Sequence, residues 1–355
     1  MKKIKMVLSI GRQFLELLFT LKPKEKSRTP IKVLAKPAFL GGPATKVSQL
    51  TEIMAHRRQH YSSVFCLSAV HTPIFLLRIL KLLGAKVVVN QNGVYYPSWF
   101  PLGWEEKNAY LRRLNVLSDH TFFQSEFALR SYKQWVGDLP KNYSILHNPV
   151  DTRKFLPLEE GALKNNALRV LVFADVSEFT EPLWQCVKGL LHYMEFHPLE
   201  RVSVEWTLMG RILSGKVFDR HQLGELDKIE KLKIKMVWEP EAHVVPERIR
   251  EHDVALHLVY NDVCPNKVLE CLASGLGVIG LSAGGTVELV GDAGITLNVP
   301  QGFGKPAFPA YSELREALSS YFAQKQEYRR RAVLRAQQFD LTLWHEKVRK
   351  ECLRS

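Results

Sequence analysis

The sequence predicts an α/β protein of two doubly wound, Rossmann-like domains facing across a cleft. Three observations lead there. The chain has 355 residues, and domains run to roughly 100–200 residues each, so two is the natural number. Strand-like and helical stretches alternate through both halves, the pattern of parallel sheets with right-handed crossovers. Between the halves, from Asn148 to Asn166, periodicity fades around Pro149, Pro157 and Gly161, the composition of a connector. The expected boundaries are an N-terminal segment at 1–29, a first domain at 30–155, a linker at 156–166, a second domain at 167–335 and a C-terminal helix at 336–355 returning toward the first domain.

In the first half, Ile31–Ala35 reads as a strand, and a helix runs from about Lys46 to His56 after the break at Gly41-Gly42-Pro43. Ser63–Ser68 is the next strand. Thr72-Pro73 reads as cap and first helical residue of a helix to Leu83, which Gly84 closes. Lys86–Asn90 is a strand, Glu105–Leu117 a helix and His120–Gln124 a strand. Ser125 caps a helix ending at Gly137, and Tyr143–Leu146 completes the half. In the second half, Arg169–Ala174, Ser203–Met209, Lys233–Val237 and Val254–Val259 are strands, and Pro182–Tyr193 is a helix. The tail from Tyr311 is helical and Arg-rich.

At the N-terminus, Val7 to Leu21 is mostly apolar and follows Lys2, Lys3 and Lys5. A spanning helix needs roughly 20 apolar residues, and Arg12, Gln13 and Glu16 interrupt this run. Ser9, Arg12, Gln13, Glu16 and Thr20 form one narrow polar stripe, so the helix is amphipathic with a wide apolar face. Cations flank it on both sides, as on an interfacial membrane helix. Packing on the protein's own core is the other reading; the breadth of the face favours an anionic membrane surface. No small-residue cleavage pattern follows, which argues against a secretory signal.

The net charge of +13 favours acidic partners such as membrane, nucleic acid or phosphate-bearing substrates. No basic block interleaved with aromatics occurs, which disfavours nucleic acid. Cys66, Cys186, Cys264, Cys271 and Cys352 are odd in number and form no Cys-x-x-Cys, so reduced thiols in a cytoplasmic setting are expected rather than disulfides or zinc. His56 and His60 have helical spacing but lack the adjacent Glu of a zinc-protease helix.

The chemistry concentrates in residues 253–292. A strand from Asp253 reaches about Tyr260, a loop follows, and Pro265 opens a helix running to Ser274 that Gly275 ends. A second strand, Val278–Leu281, leads to Ser282, Ala283, Gly284 and Gly285. Ligands of open α/β sheets sit beyond the carboxyl ends of the strands. The helix after the first loop points free N–H groups and its positive dipole end there, which suits a diphosphate. Asn266 and Glu270, four apart, share a helix face, while Val268, Leu269 and Leu272 supply the packing side. A carboxylate at Glu270 can accept two hydrogen bonds from a ribose diol. Asp262 can hold sugar hydroxyls, Lys267 can neutralise phosphate, and Gly284 and Gly285 let backbone N–H groups approach a ligand. Gly41 and Gly42 follow the first strand of the other domain.

These residues resemble a known family. The run CPNKVLECLASGLGVIG from Cys264, followed by GGTVELVGDAG from Gly284, is similar to the donor-site signature of the GT-B family 4 glycosyltransferases, retaining enzymes that use nucleotide-activated sugars. That signature spaces two acidic residues eight apart, as Asp262 and Glu270 are here, with Asp where Glu is usual. The resemblance implies that Asp262 contacts the sugar and Glu270 the ribose. SDHTFFQSE from Ser118 and HNPVDTRKFLP from His147 extend it over roughly 31–350. The donor side would comprise Asp262, Asn266, Lys267, Glu270, Gly284, Gly285, Thr286, Arg211, Gly41 and Gly42, and Asp262 is the candidate catalytic residue.

Two departures stand out. After the first strand of the second domain the family carries an Arg and a Lys that grip the diphosphate; here ADVSEFTEPL follows from Ala174. Lys267, Arg211 and the helix N-terminus are left for that task. Where many members have a His after the third strand, this chain has Asn90, Gln91, Asn92 and Gly93. That suits a retaining reaction in which the leaving phosphate takes the acceptor proton, and it suits an inactive protein equally. On the acceptor side, Asn92, Tyr95, Tyr96 and Trp99 offer a polar group and flat rings for a sugar, with ordinary packing as the alternative. No Asp-x-Asp occurs, so neither metal nor cofactor is expected beyond the donor substrate. Retaining sugar transfer to a glycan or lipid-linked acceptor at the cytoplasmic membrane face is the leading expectation. A nucleotide-sugar epimerase or hydrolase, for which His71 is the residue to check, and a non-catalytic scaffold are the alternatives.

Overall fold

The computed structural model describes residues 20–21, 31–34, 42–54, 60–159, 167–173, 175, 180–211, 229, 231–238 and 240–353. The N-terminal segment proposed as amphipathic, His56 and Gly41 lie outside them, apart from Thr20 and Leu21. Leu21 bridges Tyr61, and the Thr20 carbonyl accepts from the Tyr61 N–H at 3.0 Å. Two compact units divide the chain, one of residues 1–96, 100–147 and 342–355, the other of 97–99 and 148–341. The chain passes between them at His147 and Asn148, ahead of the stretch 156–166.

The first unit holds β1 (Lys32–Leu34), α1 (Gly42–Leu50), β2 (Ser63–Leu67), α2 (Ile74–Leu82), β3 (Lys86–Gln91), α3 (Trp104–Leu117), β4 (His120–Phe123), α4 (Glu126–Trp135) and β5 (Tyr143–Ile145). The described strands pair in parallel in the order β1-β2-β3-β4-β5. Ser125 caps α4, its Oγ accepting from Ala128 N–H at 3.0 Å. Thr72 does not cap α2. Its N–H is taken by the Tyr110 hydroxyl at 2.8 Å, and Pro73 holds the cap position. Alternate residues of β2 face opposite layers: Val64 and Cys66 meet Leu77, Leu80 and Leu114, while Phe65 meets Phe122 and Trp344. Trp344 lies on the last helix, Leu341–Leu353, where His345 Nε2 also reaches the Gln49 carbonyl at 2.6 Å.

The second unit holds β6 (Ala167–Phe173), α5 (Glu181–Phe196), β7 (Ser203–Gly210), β8 (Lys233–Trp238), α6 (Val245–Arg250), β9 (Val254–His257), α7 (Asn266–Ala273), β10 (Gly277–Leu281), α8 (Thr286–Val290), β11 (Gly294–Leu297), α9 (Tyr311–Ala323) and α10 (Lys325–Gln337). Its parallel strands lie in the order β11-β10-β9-β6-β7-β8. The sheet is doubly wound. Leu168, Val170 and Val172 pack with α5 and α9 on one face; Leu171 and Phe173 pack with α7, α8 and α10 on the other. The five cysteines are buried and none forms a disulfide. Among the described residues no helix is long and apolar enough to cross a membrane.

Three strands of this sheet are tied together at their amino ends. Asp253, just before β9, accepts the Arg169 backbone N–H at 2.9 Å and the Arg169 guanidinium at 3.0 Å. Lys325 Nζ stands 3.6 Å from its other oxygen. The buried Tyr321 hydroxyl donates to the Asp253 carbonyl at 2.9 Å and accepts from the Gly277 N–H at 3.0 Å. Removing that hydroxyl strands a buried donor and a buried acceptor, each worth about 1–3 kcal/mol when unsatisfied. Tyr321→Phe is therefore expected to lower stability by about 2 kcal/mol in chemical denaturation, with no change in secondary structure by circular dichroism.

Candidate functional site

The strand order of the second unit reverses between β6 and β9, the topological switch point at which open α/β sheets form a ligand crevice. The segments beyond the carboxyl ends of β6, β7, β9 and β10 carry Asp175, Arg211, the loop 258–265 and the loop 282–285. The second-unit residues picked out by sequence for the donor side lie on these segments, on the first two turns of α7 or at the start of α8.

The loop after β9 is held at several points. Asn261 adopts a left-handed backbone (φ 57°) and donates from Nδ2 to the Gly302 carbonyl at 2.8 Å. Tyr260 donates from its hydroxyl to the Pro300 carbonyl at 2.7 Å. Asn148 donates from Nδ2 to the Cys264 carbonyl at 2.7 Å. A loop clamped this way presents Asp262 with little freedom, the preorganisation that ligand sites need.

The glycine pair has a different task from the one read in the sequence. Gly284 is left-handed (φ +85°), and a Cβ there would stand 2.5 Å from the Asp262 carbonyl oxygen. The Gly285 N–H donates to that same carbonyl at 2.7 Å. The pair therefore lets the two loops meet, and the Gly285 N–H is already occupied within the protein. Thr286 is buried, and its hydroxyl finds no partner among the described residues.

On α7, Val268, Leu269 and Leu272 are buried as the spacing required, and Pro265 holds the cap position. Asn266, the first helical residue, has a shielded Oδ1 without a partner among the described residues. Glu270 lies one turn further on. Burial pushes its carboxyl up to about 7, against the opposing pull of Lys267 and Lys154. A carboxyl so placed exchanges its proton near neutrality and can donate or accept a hydrogen bond. Buried ionisable groups are expensive, which makes Glu270 a functional candidate on physical grounds.

The two cations expected to bind phosphate are not free. Asp175 accepts the Arg211 backbone N–H at 3.0 Å and its Nη2 at 3.1 Å. Lys267 Nζ approaches the same Asp175 oxygen, Oδ2, at 3.2 Å and lies over the Phe173 ring. Asp175 is only 18% exposed at its side chain. Burial alone would raise its carboxyl, but Lys267 and Arg211 outweigh burial and hold it below the usual carboxylate range. A second residue not singled out by sequence is His257, 2% exposed, whose Nε2 stands 3.3 Å from Asp262 Oδ2. That contact is at ion-pair distance but outside hydrogen-bond alignment, and neither ring nitrogen has another partner among the described residues. Neither residue carried a motif. Asp175 was visible only as acid where base was expected, and His257 was hidden in the strand run VALH.

In the first unit, Gly42 is the first residue of α1. Asn92 is engaged with Ser68, accepting its hydroxyl at 2.6 Å and donating its own N–H to it at 3.1 Å. Tyr95 is pinned through its backbone, whose N–H and carbonyl both bond the Asn108 amide. Its ring meets Phe100 edge-on at 5.3 Å, and Tyr96 lies 6.0 Å from Trp135. Both rings thus make packing contacts within the unit. Trp99 belongs to the other unit and is 45% exposed. His71 stacks on Tyr110 at 4.7 Å. Asn90 and Gln91, at the end of β3, are buried in a polar network: Gln124 Nε2 donates to Asn90 Oδ1 at 2.7 Å, and Asn115 Nδ2 donates to Gln91 Oε1 at 3.0 Å.

No protein-family model and no curated protein matches the chain. Solved structures do. A glycosyltransferase from Rickettsia africae is 14% identical with a TM-score of 0.62, over 97% of this chain and 95% of that one. HepE from Anabaena, solved with UDP-glucose, is 14% identical with a TM-score of 0.61, over 96% and 95%. Sucrose-phosphate synthase from Thermosynechococcus elongatus is 14% identical with a TM-score of 0.59, over 81% and 72%. The likeness establishes the fold: two parallel α/β units of the GT-B type.

The raised carboxyl of Glu270 makes stability depend on pH. Between pH 4.5, its ordinary value, and about 7, the folded chain keeps a proton that the unfolded chain has released. Its stabilising contribution is complete below pH 4.5 and is lost as pH rises through about 7. Glu270→Gln removes this slope. The variant is expected to gain on the wild type by on the order of 3 kcal/mol between those limits, read as diverging melting temperatures across a pH series.

Proposed function

We propose that the chain is a retaining glycosyltransferase that moves a sugar from a nucleoside diphosphate sugar to a glycan or lipid-linked acceptor. The observation that carries this reading is the meeting, at the β6/β9 switch point, of the α7 N-terminus, the pinned Asp262 loop and the Glu270 carboxyl one turn inside the helix. Helix N-termini favour diphosphates, and the two oxygens of a carboxylate suit a ribose diol. The names of the solved neighbours, among them a UDP-glucose complex, make uridine donors the first to try.

In this scheme Glu270 binds the ribose, Asn266, Lys267 and Arg211 face the phosphates, and Asp262 holds the sugar hydroxyls. Gly284, Gly285 and Thr286 shape the loop beneath it. The bond between the anomeric carbon and the phosphate oxygen breaks, the acceptor oxygen bonds the same face, and its proton passes to the leaving phosphate. The protein's part is electrostatic stabilisation of the developing charge, carried by cations and helix dipole with no metal or cofactor. Asn92, Tyr95, Tyr96 and Trp99 form the acceptor side, and the N-terminal segment rests on an anionic membrane surface. A second reading, hydrolysis or epimerisation of the donor, draws on His257 beside Asp262, an arrangement that can move protons.

Thermal stabilisation across a panel of nucleotide sugars tests the reading. A true donor at about 100 times its dissociation constant adds roughly 2.7 kcal/mol, and Asp262→Ala and Glu270→Ala should each weaken that donor. Absence of any shift across the panel contradicts both readings. Efficient turnover of the donor without an acceptor would select the second.

A further inference from the structure

We propose that Asp175 is the resident counter-anion of the phosphate site, a specificity-determining carboxylate that an incoming anion must displace from Lys267 and Arg211. The inference rests on reading this crevice as the diphosphate site.

The geometry carries it. Lys267 Nζ and Arg211 Nη2 come from different elements, α7 and the residue after β7, yet both close on one oxygen, Asp175 Oδ2, at 3.2 and 3.1 Å. Like charges brought this close repel unless an anion sits between them. The Asp175 carboxylate fills that role, held by the two side chains and by the Arg211 N–H at 3.0 Å. The position it takes, beyond the carboxyl end of β6 at the switch point, is where a ligand's anion would lie. A phosphate therefore does not meet two bare cations. It must offer them more than one carboxylate does. An anion with two phosphoryl groups can engage both cations at once, whereas a neutral sugar or nucleoside gains nothing from displacing Asp175.

A carboxylate that only buttressed the loop would give the opposite response to neutralisation. Asp175→Asn retains an oxygen for the Arg211 N–H and removes the negative charge. Asp175→Glu keeps the charge. Asp175→Ser is a second neutral variant should the amide not fold. The full chain and each variant are titrated with inorganic pyrophosphate by calorimetry, at fixed pH and ionic strength and without divalent cations. Folding is followed by circular dichroism and thermal melting. Expected is about tenfold tighter pyrophosphate binding by Asp175→Asn or Asp175→Ser, near 1.4 kcal/mol, with Asp175→Glu close to wild type.

Equal or weaker binding by a folded neutral variant overturns the proposal, as does loss of folding in both neutral variants, which would make Asp175 a structural strut. The underlying reading is scored separately, by UDP-glucose and other nucleotide sugars on the wild type. Nucleotide sugars binding without any gain in the neutral variants sinks the counter-anion alone. Tighter pyrophosphate without binding of any nucleotide sugar supports the anion site and sinks the donor reading alone.

Discussion

A buried carboxylate at the far end of the sheet from the site holds the second unit together. Asp253 bonds the β6 backbone and the Arg169 guanidinium, and through Tyr321 it reaches the first residue of β10. A parallel strand shifted by one residue turns every side chain to the opposite face. Here such a slip would carry Leu171 and Phe173 into the layer that Val170 and Val172 fill. Paired and hydrogen-bonded, Asp253 sets how far β6, β9 and β10 extend, and therefore where Asp175, Asp262 and Gly284 emerge. Both oxygens of the anchor carboxylate accept hydrogen bonds, while the crevice holds polar groups that have no partner among the described residues.

Three residues of the crevice carry such groups. His257, Asn266 and Thr286 each shield a polar side-chain atom that has no hydrogen-bond partner among the described residues, and Glu270 is pushed up by burial. Folding is opposed by each of them. Proteins break local rules of this kind mainly at functional sites. Around them the backbone is over-determined. Asn261 is left-handed, Gly284 admits no side chain, and the Asp262 carbonyl is taken by Gly285. A rigid frame around unsatisfied groups is the physical content of a preorganised site.

Much of the fold was legible in the sequence, because alternation of strands and helices is a local signal. The Ser125 cap, the turn at Gly275 and the buried stripe Val268, Leu269 and Leu272 follow from residue type and spacing alone. The short elements β11 and α6 were not foreseen; at four and six residues they are too short to show a period. Thr72 is not the cap because the helix starts at Ile74, which puts Pro73 in the cap position. The site was legible along the chain and opaque through space. Asn266 and Glu270 were readable as sharing one helix face. That Lys267 and Arg211 would share Asp175 was not, since the three come from separate segments. Likewise, the glycine pair was identified correctly as a place of close approach, but the approaching group is the Asp262 backbone.

The central claim is that the α7 N-terminus and the two loops beside it form the donor site. Hydrogen–deuterium exchange with and without a saturating nucleotide sugar tests it most directly, because exchange reports local opening segment by segment. Protection is predicted to concentrate in 258–274 and 282–290, with the amino ends of β6, β9 and β10 unchanged. Protection confined to other segments, with these two unaltered at saturation, would contradict the account.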